Sequence, residues 1–345
     1  MRPIEWHGDH VRMIDQRALP LREEWNEYRT SAEVAAAIRE MHIRGAPAIG
    51  IAAAYGMALV AHHSRVEDPQ ELVRELEEAA RLLAATRPTA VNLFWALQRM
   101  ESLARESAPG GARAIRTALI GQALEIHEED VEMCRRMGRH GAELISEASR
   151  VLTHCNAGAL ATGDYGTALG VIRAAHERGR LRHVWVDETR PFLQGARLTA
   201  WELMRDGIPC KLICDNMAGH LMQRGQVDAV ITGADRVTAG GDVANKIGTY
   251  ALAVLCRHHG IPFYVAAPYS TIDMSLSDGS QIPIEERSPQ EVIQFQGQRV
   301  APEGMEAANP AFDVTPAELV TALVTERGVL HPPLRESIAR VMGTV

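Results

Sequence analysis

Five short apolar runs in the second half of the chain each end on a reactive or polar side chain. They span residues 151–155, 183–188, 211–216, 229–235 and 262–269, ending on Cys155, Glu188, Asn216, Asp235 and Tyr269. Helix-like stretches follow most of them, and this alternation is the pattern of a parallel sheet with helical crossovers. Ligands of such sheets bind beyond the carboxyl ends of the strands. A thiol (Cys155) and the carboxyls of Asp187, Glu188, Asp215 and Asp235 are therefore expected along one rim. That is the layout of an enzyme.

Cys155 closes the string Val151-Leu152-Thr153-His154-Cys155-Asn156-Ala157-Gly158. A strand-terminal thiol before a glycine turn and a helix start can have its pKa lowered from about 8.5 and serve as nucleophile, base or acid. A buried structural cysteine would look the same. Cys134, Cys210, Cys214 and Cys256 fall inside elements and read as packing. Asp235 ends Ala229-Val230-Ile231-Thr232-Gly233-Ala234-Asp235, where partial desolvation would raise its pKa. A carboxyl that merely caps the next segment is the bland alternative. Downstream, Gly240-Gly241-Asp242-Val243-Ala244-Asn245-Lys246-Ile247-Gly248 reads as a glycine-rich loop opening a helix. Asn245 and Lys246 there could bind hydroxyls or a phosphate.

The first half offers Arg44-Gly45-Ala46-Pro47-Ala48-Ile49-Gly50. A small-residue turn feeding a helix leaves N–H groups pointing outward, where the helix dipole favours an anion. Arg44 could add a bidentate contact. A capping turn with a surface arginine is the competing reading. Pro88 forces Arg87 out of helical geometry and so fixes where it points, although a solvated interhelical arginine is the plainer view. Histidines do not assemble into a metal set. His62-His63 and His258-His259 put rings on different helix faces, and no His-x3-His or paired Cys-x2-Cys spacing supports zinc. The Gly spacing of a dinucleotide fingerprint is missing after Cys155, which counts against NAD.

These residues need a scaffold. With 345 residues, two domains are expected, divided near residue 150. Residues 1–150 read as mainly helical, opened by a hairpin over 4–14 around a Gly8-Asp9 turn. Thr30 and Glu33 form a capping box for a helix through His42. Pro47 opens an apolar helix over 48–61, in which Gly50 and Gly56 allow close packing. Asp68-Pro69 starts a third helix to about Ala85. Thr89 caps a fourth through Glu106. Residues 112–149 form a long acidic helix with a break expected at Gly138 or Gly141. Residues 151–345 read as the sheet domain. A helix of about ten residues is expected from Thr315-Pro316, and another over 335–342. Loops at 278–284 and 298–310 could cover the site.

Bulk properties narrow the class. A net charge of −8 argues against a general nucleic-acid binder, which would need a basic face. No apolar run approaches the roughly 18 residues of a membrane span, and the first residues have no signal-peptide core, so no membrane partner and a cytoplasmic setting are expected. Five cysteines in irregular spacing suit reduced thiols.

Several strings, taken together and in order, resemble one family. To Arg44–Gly50 and the Cys155 string are added Thr86-Arg87-Pro88-Thr89-Ala90-Val91-Asn92-Leu93, Glu188-Thr189-Arg190-Pro191, Gln194-Gly195-Ala196-Arg197-Leu198-Thr199-Ala200-Trp201-Glu202-Leu203, Gly233-Ala234-Asp235-Arg236 and Asn245-Lys246-Ile247-Gly248-Thr249-Tyr250. The chain resembles the 5-methylthioribose-1-phosphate isomerase family of methionine salvage over nearly its whole length. The resemblance implies a helical N-terminal domain followed by a Rossmann-like α/β domain, a homodimer, and an aldose–ketose isomerase with no metal or redox cofactor. It implies a small sugar phosphate as substrate, methylthioribose 1-phosphate, giving methylthioribulose 1-phosphate. It assigns catalysis to Cys155 and Asp235, and substrate contacts to Arg44, Gly45, Ala46, Arg87, Gln194, Asn245 and Lys246. Ile49, Trp95 and Met217 are candidates to line an apolar methylthio pocket. Two alternatives share the fold: an isomerase of ribose 1,5-bisphosphate or 5-deoxyribose 1-phosphate, and a non-catalytic regulatory subunit of the translation-initiation exchange factor.

Overall fold

The structure, a computed structural model, describes residues 1–88 and 90–343. The chain forms two compact units: Met1–Arg135 with Ala157–Gly170, and Arg136–Asn156 with Val171–Val345.

The first unit begins with the expected hairpin, β1 (Ile4–Trp6) against β2 (Val11–Ile14), paired antiparallel with Ile4 opposite Met13. A third strand, β3 (Trp25–Tyr28), joins it. Helix α1 (Ser31–Arg39) carries the Thr30–Glu33 capping box but stops three residues before His42. Met41 has a φ of 61°, which an α-helix cannot continue through. Helix α2 (Ala46–His63) is buried nearly all round, so its alanines and glycines face protein on every side. It packs against α1, α3 (Pro69–Ala84) and α4 (Val91–Ser107), and contributes Ile51, Tyr55, Met57 and Leu59 of its own to the core they share. Asp68 caps α3 by accepting the Glu71 N–H at 2.8 Å. The cap expected of Thr89 lies outside the described residues, and Ala90 precedes α4 without a side-chain cap. Helix α5 (Ala112–Ala142) runs through Gly138 and Gly141 without the expected break.

The second unit is built on a seven-stranded sheet. Strands β4 (Ser149–Thr153), β5 (Leu181–Asp187) and β6 (Cys210–Ile213) lie side by side, with α6 (Ala168–Glu177) and α7 (Ala200–Arg205) as crossovers. Helix α8 (Ala218–Gln223) then returns the chain to the other side of β4. There β7 (Ala229–Thr232) pairs with β4. A hairpin, β8 (Arg236–Thr238) and β9 (Val243–Lys246), precedes α9 (Thr249–His259). Strand β10 (Phe263–Ala266) then adds to β7. Short pieces follow: β11 (Ile272–Asp273), α10 (Gln290–Ile293), β12 (Gln294–Phe295), β13 (Gln298–Arg299) and β14 (Phe312–Thr315). Strand β15 (Ala322–Thr325) extends the main sheet beside β10, and β16 (Gly328–Leu330) closes it antiparallel. Helix α11 (Leu334–Met342) is the expected terminal helix.

Two expectations fail here. The helix foreseen from Thr315-Pro316 is a single 3-10 turn, Ala317–Leu319, leading into β15. All four residues of β15 are buried, and its ladder to β10 outweighs the local helix-start signal. The glycine-rich segment around Asn245 and Lys246 is not a loop. Both lie on β9, bonded to β8 on one side and β14 on the other, and the helix starts only at Thr249.

Because β4, β5 and β6 run to one side and β7, β10 and β15 to the other, the strand order reverses between β4 and β7. The carboxyl ends of those two strands mark the place where open parallel sheets open a crevice.

Candidate active site

Cys155 follows β4 by two residues and Asp235 follows β7 by three, so the two flank the reversal point on the same edge. Cys155 is 9 % exposed and has a φ of 62°. Two hydroxyls hold that left-handed backbone: its N–H donates to Thr189 Oγ1 at 2.8 Å, and its carbonyl accepts from Thr199 Oγ1 at 2.6 Å. Thr189 itself has a φ of 64°, is fully buried, and donates its own N–H to Asp215 Oδ1 at 2.7 Å. The second Asp215 oxygen accepts the Arg190 N–H at 2.7 Å. A β-branched residue in left-handed space is costly and persists only where surrounding bonds dictate it.

Gln194 lies between these threonines and is buried, with no hydrogen-bond partner for its Oε1 among the described residues. The turn after it is a π-helix, Gly195–Thr199, a form that concentrates at functional sites. Next to Cys155, the Asn156 amide donates to Thr199 Oγ1 at 3.1 Å and to the buried Glu202 at 2.9 Å. Glu202 in turn pairs with Arg173 at 2.8 Å.

Asp235 donates its backbone N–H to the Ala244 carbonyl at 2.9 Å, which sets it beside Asn245 across the β8–β9 hairpin. The Asn245 amide donates to Thr249 Oγ1 at 3.0 Å. Lys246 is buried. Its ammonium donates to the Ala311 carbonyl at 2.8 Å and lies 4.7 Å from the centre of the Phe312 ring. One more bond ties this turn to the thiol's strand, from His154 Nε2 to the Ile247 carbonyl at 2.9 Å. Within the second unit, His154 thus links the strand end before Cys155 to the turn after Lys246, and Asp235 is bonded to Ala244, the neighbour of Asn245.

His154 also meets Asp187 Oδ2 through Nδ1 at 3.0 Å, both side chains being at most 2 % exposed. Burial opposes charge on the ring, but the Asp187 carboxylate, with Asp215 behind it, raises the His154 pKa above its ordinary value. Burial pushes Asp187 up to about 6, against the pull of His154. Of the remaining rim groups, Cys214 is held up by the neighbouring Glu188 carboxylate. Burial raises Cys134, Cys210 and Cys256, consistent with thiols used for packing.

In the first unit, Arg44 is buried and Gly45 caps α2 with a φ of 94°. Any side chain at Gly45 would collide with the Ala161 backbone, 2.6 Å from an added Cβ, so the turn presses directly on the segment that follows Asn156. Ala46 and Pro47 form the first turn of α2, whose leading N–H groups receive no acceptor from the cap side chain. Arg87 lies between α3 and α4. Ile49 is buried in α2, whereas Trp95 is 36 % exposed on α4, with the Arg99 guanidinium 5.6 Å from its ring centre. In the second unit Met217 is 47 % exposed.

Sequence reasoning did not single out His154, Thr189 and Thr199, although all three stand inside the quoted strings. The bonds of His154 and those that hold Cys155 span 33 to 93 residues along the chain, so no local spacing marks these three.

The model of the initiation factor 2 subunit family matches residues 42–332. A methylthioribose-1-phosphate isomerase of Syntrophotalea carbinolica is 61 % identical over 331 residues, covering 96 % of each chain. The chain belongs to this family, in its methylthioribose-1-phosphate isomerase branch. Among solved structures, the 5-methylthioribose 1-phosphate isomerase of Pyrococcus horikoshii superposes with a TM-score of 0.95 at 49 % identity, covering 100 % of this chain and 96 % of that one. A family member from A. fulgidus, described as the delta subunit of translation initiation factor eIF-2B, gives 0.89 at 47 % identity, covering 99 % of both. The family fold therefore carries more than one described role, and the choice between them rests on the site.

Proposed function

We propose that this chain is a methylthioribose-1-phosphate isomerase of methionine salvage, with Cys155 and Asp235 as its catalytic pair. The observation that carries the reading is the placement of that thiol and that carboxyl at the ends of β4 and β7, on either side of the reversal in strand order. Full-length identity to isomerases supports the same choice. Substrate contacts are assigned to Arg44, Gly45, Ala46, Arg87, Gln194, Asn245 and Lys246. The enzyme works in the cytoplasm as a homodimer. Among the described residues no helix is long and apolar enough to cross a membrane.

A sugar phosphorylated at its anomeric oxygen cannot open as a free aldose does. The bond between C1 and the ring oxygen breaks as a general acid, Asp235, delivers a proton to that oxygen. The C2 hydrogen ends on C1, and the C2 hydroxyl gives up its proton and becomes the carbonyl. The oxidation of C2 balances the reduction of C1. Cys155 stabilises or relays charge at the neighbouring carbon. A substrate panel of methylthioribose 1-phosphate, 5-deoxyribose 1-phosphate and ribose 1,5-bisphosphate, assayed for ketose, tests the reading with Cys155→Ser and Asp235→Asn alongside. Loss of turnover in both variants is expected, and full activity in either removes that residue from the mechanism. Deuterium at C2 distinguishes the routes of hydrogen, since complete washout into solvent excludes a direct hydride shift.

The relative described as an initiation-factor subunit supports a second reading, a protein-binding regulatory module. A stable complex with a guanine-nucleotide-binding partner, together with no turnover on any of the three sugars, would decide for it.

A further inference from the structure

His154 stands between β4 and the candidate thiol, and every polar atom of its ring is engaged. Nε2 faces the Ile247 carbonyl at 2.9 Å, and a carbonyl oxygen only accepts, so Nε2 carries a hydrogen. One proton then remains for the 3.0 Å contact between Nδ1 and Asp187 Oδ2. The other Asp187 oxygen is buried without a hydrogen-bond partner among the described residues. The charged groups facing this pair are Glu188 and Asp215 from the ends of β5 and β6, and Asp313 from β14. Asp313 accepts the Gly248 N–H at 2.7 Å, so it braces the same turn that the ring holds.

That turn is shaped around the ring. Gly248 has a φ of 105°, and a Cβ placed there would lie 2.9 Å from His154 Cε1 and Nε2. Only glycine lets the backbone after Lys246 approach so closely. His154, Asp187 and Asp215 hold ligand atoms within 4.8 Å of one another, a spacing a metal ion could use. Both ring nitrogens and both Asp215 oxygens already serve hydrogen bonds within the protein, so the trio forms a bonded network and not a vacant ligand set.

We propose that His154, together with Asp187, is a positioning residue of the isomerisation: the ring locks the Cys155 end of β4 to the turn that follows Lys246, and the proton shared with Asp187 keeps both bonds closed. The inference rests on the function assigned above. Deprotonating the pair removes the bond to Asp187, and adding a second proton to the pair, on Asp187, removes the carboxylate that holds the ring. Either change leaves the thiol and the ammonium less well placed relative to one another. A misplacement of about 1 Å can cost roughly 10²-fold in rate.

Asp187→Asn keeps the size of the side chain and abolishes the ionic pair, and His154→Gln can still reach the Ile247 carbonyl. The expected result for both is a kcat roughly 10²-fold lower. The kcat profile of the wild-type enzyme should show an acid limb, and that limb should disappear in Asp187→Asn. A residue that only fills space would not move that limb. Nitrogen-15 spectra of the histidine rings supply a readout that needs no substrate. The wild-type ring should carry hydrogens on both nitrogens at neutral pH, and the Asp187→Asn ring on Nε2 alone. A wild-type ring lacking the Nδ1 hydrogen at neutral pH would overturn the proposal, as would Asp187→Asn with wild-type kcat and an unchanged acid limb. If His154→Gln does not fold, Asp187→Asn and the spectra still decide. Wild-type protein inactive on all three sugars would overturn the assigned function, whereas the ring spectra test the pair separately.

Discussion

The backbone N–H of Cys155 donates to the hydroxyl of Thr189, 34 residues further along the chain, and both residues sit in left-handed backbone. One hydroxyl therefore holds a strained strand end against a second strained turn. Thr189→Val preserves shape but removes the hydroxyl that accepts the buried Cys155 N–H, a loss of about 1–3 kcal/mol. Denaturant unfolding should show that loss, and turnover should fall with it. Thr189→Ser restores the acceptor and should recover most of both.

In the first unit a similar device holds the segment after Asn156. His127 Nε2 meets the Gly163 carbonyl at 2.8 Å, which leaves Nδ1 to accept from the Tyr55 hydroxyl at 2.8 Å. Burial lowers the His127 pKa and keeps the ring neutral, as this arrangement requires. Tyr55→Phe strands a buried acceptor and should cost about 1–3 kcal/mol. Amide exchange near Gly163 should quicken in the variant. Unchanged protection there would remove the hydroxyl from the account.

Stability should depend on pH through Asp187 with a definite sign. Its pKa in the folded chain is raised to about 6 from an ordinary 3.8. The stability it contributes is complete below the ordinary value and is lost as pH rises through about 6. The raised His154 acts in the same direction, its contribution present below 6.5 and lost above its folded value. In Asp187→Asn neither contribution survives. The melting temperature of the wild-type chain relative to this variant should therefore rise as pH falls from about 8 to about 5, a window spanning the folded Asp187 value. A constant or shrinking difference would show that the pair does not titrate this way.

The parallel strands were legible because each is a short apolar run closing on a polar residue, a pattern that burial on both faces demands of the interior strands β4, β7 and β10. The Thr30–Glu33 box and the Asp68 cap were legible because capping is local, satisfied within four residues. What escaped depends on distant partners. Asn245 and Lys246 look like loop residues beside Gly240 and Gly241, and only a strand beginning at Phe312 makes them part of a ladder. Thr315-Pro316 carries a helix-start signal that pairing of Ala322–Thr325 with β10 overrides. The bonds of His154 reach 33 and 93 residues ahead, so nothing in the string Thr153-His154-Cys155 announces them. In the candidate site, the strand-end positions of Cys155 and Asp235 could be read from the sequence, whereas the hydroxyls and the imidazole that hold their surroundings could not.

The chain leaves the second unit directly after Asn156, lends residues 157–170 to the first, and then returns. A single cut in the gene consequently yields no self-sufficient piece. A product ending at residue 135 lacks the strip that Gly45 and His127 are shaped to receive, and one beginning at residue 171 lacks the central strand with its thiol. Shuffling either half onto a foreign neighbour would sever the stretch adjoining Cys155, which ties the inheritance of the two units together.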